Sequence, residues 1–168
     1  MSILKKFSKN SFYIEEIAFF IVTGFKIGTL FSRASGTVAS ILAMPIWYLF
    51  LSFSKIYYFI LIIFFFLLGL IFCDIATNKI IKIKDDKRIV IDEFIGMWIS
   101  LIFVNNLTTA IIGLFIFRIL DITKPYPLKF IDSNIKNGFG IIVDDIFAGI
   151  ISSLILKSYE FIKFLIVL

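Results

Sequence analysis

Six of the twelve acidic residues fall in three clusters: Asp92-Glu93, Asp121 with Asp132, and Asp144-Asp145. Each cluster borders or interrupts an apolar run, and Arg118 and Lys124 are the cations beside the second. Ionisable side chains next to hydrocarbon are expensive, so they are kept mainly where they pair or do chemistry. Carboxylates are hard oxygen ligands suited to Mg²⁺, which binds one or two of them, keeps waters and completes its shell with substrate phosphate. Neighbouring helix positions point about 100° apart, so each doublet offers one ligand and one acid facing substrate or a ligand's partner. Acids at a helix start also serve as capping charges, and that alternative stands beside the metal one.

Arg118 and Asp121 are three apart, which permits an ion pair on one helix face. A site that holds a dianionic phosphate would use the same arginine for its forked donors and a lysine as a mobile point charge; Arg118 and Lys124 supply both. Pro125 and Pro127 stop the helix after Lys124 and stiffen the backbone there. Gly138 and Gly140 precede the last apolar run, where a helix N-terminus can receive an anion. Gly96 and Gly149 lie inside apolar runs and read as helix-packing positions.

Other chemistries are closed off. The chain has no His, which removes imidazole acid/base catalysis, His metal ligands and phosphohistidine. Cys73 stands alone, so no disulfide or Cys-ligated metal forms within one chain, and the Cys-dependent phosphatase spacing finds Lys79 where it needs Arg. Asp-x-Asp and Asp-Gly-x-x-Ala-Arg do not occur.

The elements that must position these residues are apolar. Hydrophobic residues make up 60% of the 168, with 22 Phe and a mean hydropathy of +1.03, against roughly 45–50% apolar in soluble domains. The chain reads as a single-domain, all-α polytopic membrane protein. We expect about four to five hydrophobic helices plus an N-terminal interfacial helix. That first helix should be capped by Ser11 and run from Phe12 to near Val22, followed by a loop over Thr23 to Thr37. Val38–Phe53 and Ile56–Cys73 form a hairpin turned at Ser54-Lys55, kinked at Pro45, with Trp47, Tyr48, Tyr57 and Tyr58 at the interface. Further runs are Ile89–Val104, Leu107–Leu120 and one from Phe139 to Leu156, the last helix beginning at Asp144-Asp145. Trp98 and Tyr126 mark interface depth.

The net charge of +5 sits outside the apolar runs and reports orientation and anionic lipid, not nucleic acid. The basic stretch Asp74 to Arg88, with Lys79, Lys82, Lys84, Lys87 and Arg88, should be cytoplasmic. Traced from there, all three acidic blocks arrive at one membrane face.

Three segments carry a resemblance. Ile91-Asp92-Glu93-Phe94-Ile95-Gly96-Met97-Trp98, then Phe117-Arg118-Ile119-Leu120-Asp121-Ile122-Thr123-Lys124-Pro125-Tyr126-Pro127, then Val143-Asp144-Asp145-Ile146-Phe147-Ala148-Gly149 resemble phosphatidylglycerophosphatase A. The likeness implies a bacterial inner-membrane, Mg²⁺-dependent lipid phosphatase of phospholipid biosynthesis, with its site on the cytoplasmic face. Such an enzyme converts phosphatidylglycerophosphate to phosphatidylglycerol. Its implied catalytic set is Asp92, Glu93, Asp121, Asp132, Asp144 and Asp145, with Asp92, Glu93, Asp144 and Asp145 at the metal and Arg118 and Lys124 at the substrate phosphate. The chain departs from the family at Phe31-Ser32-Arg33-Ala34-Ser35-Gly36-Thr37, where prolines usually precede the Gly-Thr pair, so no site role is carried there. Direct attack by water and an acyl-phosphate intermediate both stay open. The competing class is a small membrane ion transporter with a carboxylate site, but transporters of that kind show paired repeats, and none is visible here.

Overall fold

The computed structural model describes residues 2–31, 33–77, 86–126, 128–130 and 138–167. Every regular element among them is helical: α1 (Ser2–Val22), α2 (Ile27–Leu30), α3 (Ser35–Phe50), α4 (Lys55–Ile75), α5 (Ile91–Ser100), α6 (Leu107–Thr123) and α7 (Gly138–Val167). Ser11 does not cap α1, because the helix starts nine residues earlier and runs through it. No Gly or Pro interrupts residues 2–22, so nothing in the chain stops the helix at Ser11. Its C-terminus is fastened to the interior, where the Val90 amide donates to the Val22 carbonyl at 2.8 Å.

The organising element is α5, whose ten residues are nearly all buried and which packs against α3, α4, α6 and α7. The apolar run Ile89–Val104 suggested a longer helix, but α5 ends at Ser100. Leu101 to Val104 then turn through i→i+3 hydrogen bonds such as Val104 N–H to Leu101 O at 3.0 Å. Trp98 is correspondingly not an interface marker. Its ring is buried, its Nε1–H donates to the Ala43 carbonyl at 3.0 Å, and its own carbonyl accepts from the Tyr58 hydroxyl at 2.8 Å. Trp47 and Tyr58 likewise belong to the core, whereas Tyr48, Tyr57 and Tyr126 are exposed.

Lipid offers helices no hydrophobic drive to associate, so close packing and interhelical hydrogen bonds must do it. The crossing of α5 and α7 shows both. A methyl group on Gly149 would strike the Gly96 carbonyl oxygen, and one on Gly96 would lie 2.7 Å from the Asp145 carbonyl oxygen. About one turn away the Ser100 and Ser152 hydroxyls meet at 2.6 Å. Gly96 and Gly149 are packing glycines, as their setting in the sequence suggested.

At ~1.5 Å per residue, α4 is ~31 Å long and α7 ~45 Å, against ~30 Å of hydrocarbon. These two are the described helices long and apolar enough to cross a bilayer, and α3 is a shorter apolar helix. By the same measure α5, at ~15 Å, is about half as long as the hydrocarbon is thick. The helices long enough to span are thus fewer than the apolar runs, because α3, α5 and α6 have 16, 10 and 17 residues. Pro45 sits inside α3, which continues through it. Asn106 caps α6 by accepting from the Thr109 amide at 2.8 Å. Leu107–Thr123 is one turn longer than its apolar run and so carries Asp121 on the helix.

Candidate active site

Three helix segments converge on one end of the α5–α7 crossing. Asp92 and Glu93 occupy the first turn of α5. Arg118 and Asp121 lie in the last turns of α6, and Lys124 is its C-cap. Asp144 and Asp145 are residues seven and eight of α7. They are not at a helix start, because α7 begins at Gly138 and contains Gly138 and Gly140 instead of following them. Capping therefore does not explain the Asp144-Asp145 doublet.

The convergence has a local cause. Asp92 stands four residues before Gly96, and Asp145 four before Gly149, so each acid shares a helix face with the glycine one turn away. Where the two glycines let α5 and α7 touch, the two acids are brought together. One oxygen from each of Asp92, Glu93 and Asp145 lies within 4.8 Å of the others. Carboxyl groups this close need a proton or a cation between them.

Burial sharpens that requirement. Asp92 is 9% exposed and Asp145 4%. The oxygens Asp92 Oδ1, Glu93 Oε2 and Asp145 Oδ2 are buried with no hydrogen-bond partner in the protein, as is Arg118 Nε. Buried polar atoms are rarely left so, since each costs about 1–3 kcal/mol, more when charged. Five carboxylates (Asp92, Glu93, Asp121, Asp144 and Asp145) face two cations (Arg118 and Lys124), an excess of three negative charges if all are ionised. An oxygen-only, negatively charged donor set fits a hard divalent cation.

Each cation is already held. Arg118 donates from NH1 to Asp121 Oδ2 at 2.5 Å, the i,i+3 pair its spacing permitted. Lys124 Nζ donates to Asp144 Oδ2. Asp144, expected at the metal, is thus the lysine's partner and lies outside the three-acid cluster. Asp132 lies outside the described residues. All the other singled-out residues come together: Asp92, Glu93, Arg118, Asp121, Lys124, Asp144 and Asp145.

The sequence reading missed what lies opposite them. Gly36, in the first turn of α3, faces Glu93 and Arg118 directly.

A profile of the family Phosphatidylglycerophosphatase A matches residues 20–160, nearly the whole chain and all seven of these residues. The chain belongs to the phosphatidylglycerophosphatase A family. Relatives include phosphatidylglycerophosphatase A of Escherichia coli strain K12, 41% identical over 123 residues, which are 72% of this chain and 71% of that protein. The Haemophilus influenzae protein of the same name is 36% identical over 98 residues, 57% of this chain and 60% of its own length. A Bacteroides thetaiotaomicron relative provisionally named phosphatidylinositol-3-phosphatase is 34% identical over 148 residues, 81% of this chain and 89% of its own. No solved structure matches. In this member of the family α4 and α7 are long and apolar enough to span a membrane.

Proposed function

We propose that this chain hydrolyses the phosphate monoester of phosphatidylglycerophosphate to phosphatidylglycerol and phosphate, at the cytoplasmic face of a bacterial inner membrane, with Mg²⁺ as cofactor. The observation that carries the reading is the cluster of buried, unpartnered oxygens of Asp92, Glu93 and Asp145 beside Arg118 and Lys124. Family membership and the names of the relatives support the choice of substrate.

Asp92, Glu93 and Asp145 would hold the metal, with Asp144 alongside. Mg²⁺, when bound, polarises a phosphoryl oxygen and lowers the pKa of water in its shell. The chain itself supplies electrostatics. As charge shifts toward the leaving glycerol oxygen, Arg118 and Lys124 stabilise the phosphoryl oxygens, and their value is high because the surroundings exclude water. Asp121 and Asp144 hold those cations in place before substrate arrives, so little reorganisation is left for the reaction. Arg118 spends NH1 on Asp121 and keeps its buried Nε for an incoming oxygen.

The test is phosphate release by detergent-solubilised protein from phosphatidylglycerophosphate, phosphatidylinositol 3-phosphate and glycerol 3-phosphate, with and without chelator. We expect the first to be fastest, chelation to abolish release and Mg²⁺ to restore it. Full turnover in excess chelator, or preference for the soluble ester, would overturn the proposal.

A further inference from the structure

We propose that Gly36 is a positioning residue for this site, holding Glu93 and the Arg118 guanidinium in register by presenting bare backbone to both. The inference rests on the phosphatase reading for its kinetic consequences, but its geometry stands alone. A methyl group built on Gly36 would collide with Glu93 Oε1 and lie 2.9 Å from Arg118 NH1 and 3.0 Å from NH2. The guanidinium is therefore enclosed, with Asp121 accepting from NH1 on one side and the first turn of α3 lying across the other. Glu93, which also feels the Arg118 charge, is limited by the same backbone.

That backbone is fixed. Gly36 is buried, its carbonyl accepts from the Ser40 hydroxyl at 2.9 Å, and the helix is closed at its start by Val38 N–H to Ala34 O at 3.0 Å. The Trp98 Nε1–H bond to the Ala43 carbonyl ties α3 to α5, so an added methyl is relieved mainly by displacing the two charged side chains. One of them is a proposed metal ligand and the other a proposed phosphate contact. A side chain at position 36 would thus disturb both halves of the reaction at once, although it touches neither metal nor substrate. Gly113 serves as a control because the atoms nearest a methyl there belong to no site residue: Leu156 Cδ1 at 2.8 Å, Leu101 Cδ2 at 3.1 Å and Ser100 Oγ at 3.7 Å.

The experiment compares Gly36→Ala, Glu93→Asp, the double variant and Gly113→Ala. It measures kcat and KM for phosphatidylglycerophosphate, Mn²⁺ binding by loss of the free-ion EPR signal, and melting in detergent. Displacement of a reacting group by about 1 Å costs ~10²-fold, and loss of a ligand's support weakens metal binding about 10-fold or more. Gly36→Ala should show both losses, and Gly113→Ala should lower only the melting temperature. Glu93→Asp withdraws the carboxylate by one methylene and relieves the closest of the contacts, so Gly36→Ala should cost less in the Glu93→Asp background than in the unaltered protein. Unchanged kcat and Mn²⁺ binding in Gly36→Ala, or losses that simply multiply in the double variant, would overturn the proposal. If Gly36→Ala does not fold, the double variant decides: recovery of folding supports the proposal, and failure to fold overturns it. Should the unaltered protein release no phosphate, the functional reading fails, and Mn²⁺ binding still judges Gly36.

Discussion

Lys124 both turns the chain and reaches into the site, and the two roles can be separated by substitution. Its backbone sits at φ 40°, ψ 60°, the left-handed conformation in which α6 ends. An L-residue there costs about 1–2 kcal/mol that glycine does not incur, while glycine's larger unfolded-state entropy returns about 0.4–1 kcal/mol of that advantage. Lys124→Gly and Lys124→Ala both remove the amine from Asp144, so their difference isolates the backbone. The glycine variant should be more stable by about 1 kcal/mol, or about 2–4 °C in melting temperature for a chain of this size. Both should lose activity equally, by ~10²–10³-fold, the usual consequence of removing one donor from a developing phosphoryl or alkoxide charge. The assays are thermal melting in detergent and phosphate release from phosphatidylglycerophosphate micelles. Equal melting temperatures would refute the backbone argument. An alanine variant retaining more than about a third of wild-type turnover would refute the phosphate contact, whose expected cost is ~10²-fold.

Other outcomes follow from features away from the phosphate. Asp86 is bonded to the Arg88 amide, Nε and NH2, which holds its carboxyl below the ordinary range. That pair contributes stability above the unfolded Asp pKa of about 3.9 and loses it as pH falls through the lower folded value. Asp86→Asn should therefore flatten the pH dependence of melting below about pH 4 and leave turnover within about twofold, as surface substitutions do. A large activity loss would place the connector in the site. Gly149→Ala drives a methyl into the Gly96 carbonyl, and backbone cannot yield as a side chain does. It should cost about 1–3 kcal/mol, read by melting, together with activity. For sidedness, single cysteines at Lys87, Asn105 and Lys129 in a Cys73→Ser background should react with an impermeant thiol reagent in intact cells only at Asn105. Labelling of Lys129 would put the α6–α7 connector outside.

The sequence made the chemistry more legible than the architecture. Apolar runs located α3, α4 and α6 closely because hydrophobicity, Gly, Pro and Asn mark their ends. The same signal failed for α5, since a run buried on all sides reads like one facing lipid, and hydropathy does not measure how soon a helix turns. Trp98 was misplaced for a related reason: indole suits an interface or a core equally, and only the Ala43 carbonyl decides. The acids, Arg118 and Lys124 were singled out because charge beside hydrocarbon demands explanation, and all but Asp132, outside the described residues, come together. How Asp144 divides from Asp145 was not legible, because adjacent positions part only once neighbours exist. A signal for the convergence was present in the repeated Asp-x-x-x-Gly of Asp92 to Gly96 and Asp145 to Gly149. Gly36 left no such trace, because the lack of a side chain has meaning only against what presses on it.

The shortness of α5 bears on how this enzyme is made. A helix ~15 Å long, about half the hydrocarbon thickness, and carrying two carboxylates has no stable place in lipid by itself. The partner it packs against most extensively, α7, is synthesised after α6. A nascent chain that has completed α6 already contains Asp92, Glu93, Arg118, Asp121 and Lys124, yet α5 must wait near the insertion machinery or the membrane surface until α7 arrives to enclose it. Biogenesis and activity are thereby coupled: a chain cut short before α7 lacks two acids and also the surface that would bring the others to the same depth.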